Sequence, residues 1–79
     1  MVQVEIVREL SGFRGPAVLV KRDADYFIVS SVTAYSGPET LVFRADESGE
    51  VTSWTDVAGG RDRSRAEVIA QLERGEDRA

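Results

Sequence analysis

The sequence has no cysteine and no histidine. The first absence excludes disulfides and thiolate zinc sites. The second removes the usual general base and the commonest metal ligand. Lysine occurs once, at Lys21, so nine of the ten basic residues are arginine. That bias is the ordinary mark of a high-GC genome and needs no functional cause. Positive charge is itself in deficit: fourteen acidic residues against ten basic give a net charge of −4. Duplex DNA attracts proteins through Lys and Arg that neutralise phosphates, so the balance disfavours nucleic acid as a general partner. No apolar run approaches the roughly 18 residues of a membrane span. Met1-Val2-Gln3-Val4-Glu5 has no basic region before an apolar stretch, as a secretory signal would. The expectation is a cytoplasmic protein without a membrane partner.

What is present suits one small folded domain. The chain has 79 residues, 42% of them hydrophobic and 30% charged, a composition that argues against disorder. A chain this short buries only about 60% of its unfolded surface. It needs good packing or a second copy of itself. The expected organisation is a single domain over residues 1–75 with a polar, frayed tail over 76–79.

Val2, Val4 and Ile6 alternate with Gln3 and Glu5, which predicts a half-buried strand over 2–9. Gly12, Gly15 and Pro16 end it. Ala17-Val18-Leu19-Val20-Lys21 is apolar on both faces and reads as an interior strand. Asp23-Ala24-Asp25 is a polar hairpin connection. Tyr26 to Tyr35 is aromatic, β-branched or small throughout and predicts a central strand. After Ser36-Gly37-Pro38, a fourth strand spans 39–44. Gly49 suits a bulge turn before a short fifth strand over 51–54.

Ser64 and Glu67 have capping-box spacing ahead of Val68, Ile69 and Leu72, and Gly75 is a natural stop. The predicted fold is α+β: a meander-like antiparallel sheet of four to five strands, packed by one C-terminal α-helix. Residues 15–22 and 37–44 also share Gly, Pro, Leu, Val and Arg at matching positions. A pseudo-twofold pair of hairpins is one reading of this. A chance likeness of two turn-and-strand units is the simpler one.

Few residues suggest chemistry. The acidic groups gather at turns: Asp23 with Asp25, Asp46 with Glu47 and Glu50, Glu76 with Asp77. None has calcium-loop spacing, and exposed turns do not separate two carboxyl pKa values. Serines lack a nucleophile elbow and a histidine to activate them. No catalytic, cofactor-binding or metal-binding residue is identified, and the chain reads as a non-enzyme. Gly12-Phe13-Arg14-Gly15 has the bare form of an RNA-binding loop, but strands flank it where that loop joins helices. Arg61, Arg63 and Arg65 crowd a helix start, which is a natural anion site, but a solvated loop with Asp62 and Glu67 as local neutralisers is the simpler reading. Tyr26, Phe27, Tyr35 and Phe43 read as core. Trp54 closes a short strand among polar residues; core is the simpler reading for it as well, and a rim anchor for a protein partner is the other.

Glu39-Thr40-Leu41-Val42-Phe43, the stretch from Ala45 to Trp54, Val57-Ala58-Gly59-Gly60-Arg61 and the short helix together resemble small uncharacterised actinobacteriophage proteins. The likeness covers about residues 17–73. It implies a phage accessory protein in a host cytoplasm and carries no catalytic residues. The expectation is a non-enzymatic protein-interaction module acting on a host or viral protein, with Trp54, Arg61, Arg63 and Arg65 as candidate interaction residues. Its routes are a hot-spot face or the exposed edge of the first strand, although Glu5, Arg8 and Glu9 are charges of the kind that protect edges; the same edge could instead make a homodimer. Anion or nucleic-acid binding through the three arginines is the alternative.

Overall fold

Six strands and a helix follow in the order β1 (Glu5–Leu10), β2 (Ala17–Arg22), β3 (Asp25–Ala34), β4 (Gly37–Ala45), β5 (Val51–Ser53), β6 (Gly60–Arg61) and α1 (Arg65–Glu73). They come from a computed structural model that describes residues 2–34 and 37–77. The first five strands form an antiparallel meander in chain order, and β6 pairs with β4. The architecture is the expected α+β class, with the terminal helix covering one sheet face. Tyr35 and the Ser36 start of the expected turn lie outside the described residues. Gly37 and Pro38, read from sequence as turn, instead open β4 opposite Ala34 and Thr33.

Register explains why β2 is apolar throughout. Val18 and Val20 pair with Val29 and Phe27, and Ala17 and Leu19 pair with Ser30 and Ile28. Side chains alternate between faces along a strand. The first set, with Val42, Val57, Ala58, Val68 and Leu72, forms the larger core beneath α1. Ala17, Leu19 and Ile28 anchor a second cluster on the opposite face, flanked by Leu10, Phe13, Tyr26, Ala45 and Val51. An inner strand with both faces covered cannot alternate in polarity. The sheet curls toward this second face, so that Arg8 of β1 donates to the Ser48 carbonyl beyond β4.

The helix is fixed at both ends. Ser64 Oγ accepts from the Glu67 N–H at 3.1 Å, and the Glu67 carboxylate accepts from the Ser64 N–H at 3.3 Å. At the other end Gly75 takes φ +71°. The N–H groups of Gly75 and Glu76 close on the carbonyls of Leu72 and Gln71 at 3.0 and 3.1 Å, a Schellman stop. Val68 and Leu72 point inward and are fully buried.

The expectation of a frayed tail fails at Asp77. Arg22 donates to its carboxylate at 2.7 Å and to the Leu72 carbonyl at 3.0 Å, and Arg44 reaches the same carboxylate at 3.2 Å. Both guanidinium groups stand over the buried Phe27 ring, at 5.0 and 5.4 Å from its centre. The helix has no basic residue in its last turn. Arg22 supplies that charge from the sheet, where it meets the negative helix end. Sequence reading missed this because the partners are 50 and 55 residues apart.

The matching segments 15–22 and 37–44 now have a geometric meaning. β2 and β4 flank β3 and are both antiparallel to it. They therefore run the same way. Val20 and Val42 share one face, and Arg22 and Arg44 both hold Asp77. A translation across β3 relates them, and the pseudo-twofold reading does not apply.

Candidate functional site

The outer edge of β4 is shared by three short pieces, and this arrangement places Trp54. β5 pairs at Arg44 and Ala45, while β6 pairs at Glu39 and Thr40. Between them, the Val42 carbonyl accepts from the Val57 N–H at 2.9 Å, and the Val42 N–H donates to Asp56 Oδ1 at 2.9 Å. The same oxygen accepts from the Gly59 N–H at 2.9 Å. One carboxylate thus replaces a strand partner, as buried backbone groups require. Gly59 passes so close to β4 that a Cβ would lie 1.7 Å from the Thr40 carbonyl oxygen.

Trp54 lies one residue beyond β5, where the chain leaves the sheet. Ser53 pairs with Arg44, so the next position faces Phe43. The two rings meet edge to face, with centroids 5.2 Å apart and planes at 64°. Phe43 is buried, whereas Trp54 is 71% exposed. Its exposure overturns the simpler reading of Trp54 as core and fits the rim alternative. Phe27 and Phe43 are core as expected, and Tyr26 is half-buried.

A shallow cleft of about 220 Å³ opens beside this ring pair. Phe13, Val32, Leu41, Phe43 and Trp54 give it an apolar lining. The buried Ser30 and the exposed Arg14 are its polar lining residues. Phe13 and Arg14 come from the β1–β2 connection, which the sequence marked only as a break. Strand parity explains the rest: Ser30 pairs with Leu41, and Ile28 with Phe43, so their side chains share the face away from α1. The cleft is where the helix-free face runs out of cover.

The three candidate arginines have local partners or neighbours. Arg61 is opposite Glu39 in the β4–β6 register. Arg63 donates to Gln71 Oε1 at 2.9 Å, toward the C-terminal end of α1, and its carbonyl accepts from Thr40 Oγ1 at 2.7 Å. Arg65 begins the helix and is exposed. Glu67 already lies on the helix start through the capping box. An incoming anion would have to compete with that carboxylate.

Among the described residues, three carboxyl groups are held below their ordinary pKa chiefly by hydrogen bonds: Asp77, Asp46 and the exposed Glu76, the last through Arg74. For Asp77 the chief cause is Arg22. For Asp46 it is the Ser48 hydroxyl, followed by the Glu50 N–H, in the tight turn after β4. Asp46 holds the backbone of its turn and Asp77 holds two sheet arginines, and neither lines the Trp54 cleft. Among the described residues, no three acidic side chains gather as a metal site, and no helix is long and apolar enough to cross a membrane. No protein-family model, curated protein or solved structure matches the chain.

Proposed function

We propose that this chain is a non-enzymatic protein-interaction module that docks a partner through the Trp54 cleft. The carrying observation is a large indole, 71% exposed, supported from below by Phe43 at the mouth of an apolar cleft. Tryptophan and arginine are the residue types most enriched in binding hot spots, and Arg14 shares this rim. A tryptophan buries about 150–250 Å² when fully covered. Covering the exposed part of Trp54 is worth on the order of 3–4 kcal/mol at about 25 cal/mol per Å². That is hot-spot magnitude before the costs of association.

The partner would present an apolar side chain to the cleft and a polar group to Ser30 or Arg14. A host or viral protein as that partner rests on the sequence resemblance alone. Binding of anions or nucleic acid by Arg61, Arg63 and Arg65 has less support, given their neighbours and the net charge of −4.

Trp54 is the only tryptophan, so its emission reports on this site directly. A random peptide library displayed on yeast should yield binders that shift that emission to the blue. Trp54→Ala should weaken them at least about tenfold. Because the indole is mostly exposed, the same change should cost only about 1 kcal/mol of stability, the worth of the ring pair. Selected peptides that bind Trp54→Ala as tightly as the wild type would refute the assignment.

A further inference from the structure

Among the described residues, strand β1 has one neighbour in the sheet, β2. Ile6 and Val7 are 54% and 41% exposed. The unpaired N–H and C=O groups of an edge strand are a template for pairing, and charges or a bulge on it restrict which strand can pair. The register along β1 says which pairing they suit. Glu5 is opposite Lys21 and Arg8 is opposite Leu19, with an irregularity between Ile6 and Arg8 that leaves Val7 extra. In a regular strand, residues three apart point to opposite faces. The bulge cancels that offset. Glu5 and Arg8 therefore share the face of Leu19, while Ile6 and Glu9 share the face of Val20 and Val18.

We propose that two copies of this chain join antiparallel through β1, about a twofold axis between Ile6 and Val7. Each Glu5 then stands opposite the other copy's Arg8, and each Ile6 opposite the other copy's Val7. The charges meet twice with opposite sign, on the same face. A one-residue slip in either direction sets side chains of opposite faces against each other. A two-residue slip that keeps the faces aligned puts Glu5 opposite Leu10 and loses both ion pairs. Arg8 already donates to the Ser48 carbonyl, but a guanidinium has five N–H donors and holds both partners.

The pairing is short. It ends near Val4, whose N–H is already given to the Glu73 carboxylate at 3.2 Å. An interface of this length belongs to the small class and implies a reversible, micromolar dimer. It does not involve Trp54, so it stands or falls separately from the proposed function.

Sedimentation of the full chain from about 10 µM to about 1 mM should show a monomer–dimer equilibrium. Glu5→Arg and Arg8→Glu should each weaken dimerisation about tenfold. The double exchange restores the pairs with reversed sign and should return affinity to within about threefold of wild type. Val7→Lys, a change at an exposed position, should leave circular dichroism unaltered and abolish the dimer. A chain that stays monomeric throughout, a double exchange no tighter than the single variants, or a folded Val7→Lys that still dimerises would each overturn the proposal.

Discussion

Asp56 is the residue whose removal most directly tests how the β4 edge is closed. Its Oδ1 accepts the N–H groups of Val42 and Gly59 at 2.9 Å each, with a longer contact of 3.4 Å to Ala58. Val42 and Gly59 are both buried. Asp56→Ala leaves two buried donors without an acceptor. Each such donor costs about 1–3 kcal/mol. Asp56 itself is half-exposed, so water can recover part of this, and the expected total is about 2–4 kcal/mol. For a domain of this size, that lowers Tm by about 10–25 °C. Asp56→Asn keeps one acceptor oxygen and should cost about 1 kcal/mol, since only charge is lost. Urea denaturation followed by circular dichroism measures both, with an unchanged m value as the check that the unfolded state is the same. A stability within about 0.5 kcal/mol of wild type for Asp56→Ala would refute the idea that this carboxylate stands in for a strand.

Two further outcomes follow from the same geometry. Asp77 is ionised in its folded setting because Arg22, and behind it Arg44, favour the charged form. Its folded pKa lies below the unfolded value, so its contribution is complete above about pH 4 and is lost as pH falls through the lower folded value. Asp77→Asn should therefore cost about 1–3 kcal/mol at neutral pH and clearly less near about pH 3, below the unfolded value. An equal deficit at both pH values, measured by thermal melting, would sink the assignment. Gly59→Ala forces a Cβ onto the Thr40 carbonyl and should cost at least about 3 kcal/mol. Gly12→Ala meets no atom within 4 Å at φ +92° and should cost about 1 kcal/mol through backbone strain alone. Equal losses in the two variants would contradict the close approach of the 56–60 loop to β4.

Local patterns in the sequence carry much of this fold. The continuous apolar run at 17–20 marks an inner strand, and Ser64 with Glu67 marks the helix start to the residue. Gly75 marks its end. Nothing comparable announces β6, because two residues opposite Glu39 and Thr40 have no periodicity to read. The role of Asp56 is equally silent: its carboxylate acts on a strand 14 residues earlier, and a single Asp in a loop resembles any other. For the candidate site, the sequence singles out Trp54 through its polar neighbours. It does not supply Phe13, Arg14, Val32 or Leu41, which join Trp54 only through strand register and the fold of the β1–β2 connection. Arg61, Arg63 and Arg65 look like one cluster because they are close in number. Register and side-chain bonds direct Arg61 and Arg63 to different elements.

Glu73 also constrains the order in which this chain can be completed. Its carbonyl and its carboxylate receive the N–H groups of Val2 and Val4, both at 3.2 Å. Val2 and Val4 lack these acceptors until Glu73, 69 residues after Val4, has been made. A nascent chain arrested before Glu73 would carry a loose leading segment and an unroofed sheet, the kind of species that aggregates or meets proteases. Native closure of this domain therefore waits on a contact between residues 69 positions apart, and pairings of that range are slow to form.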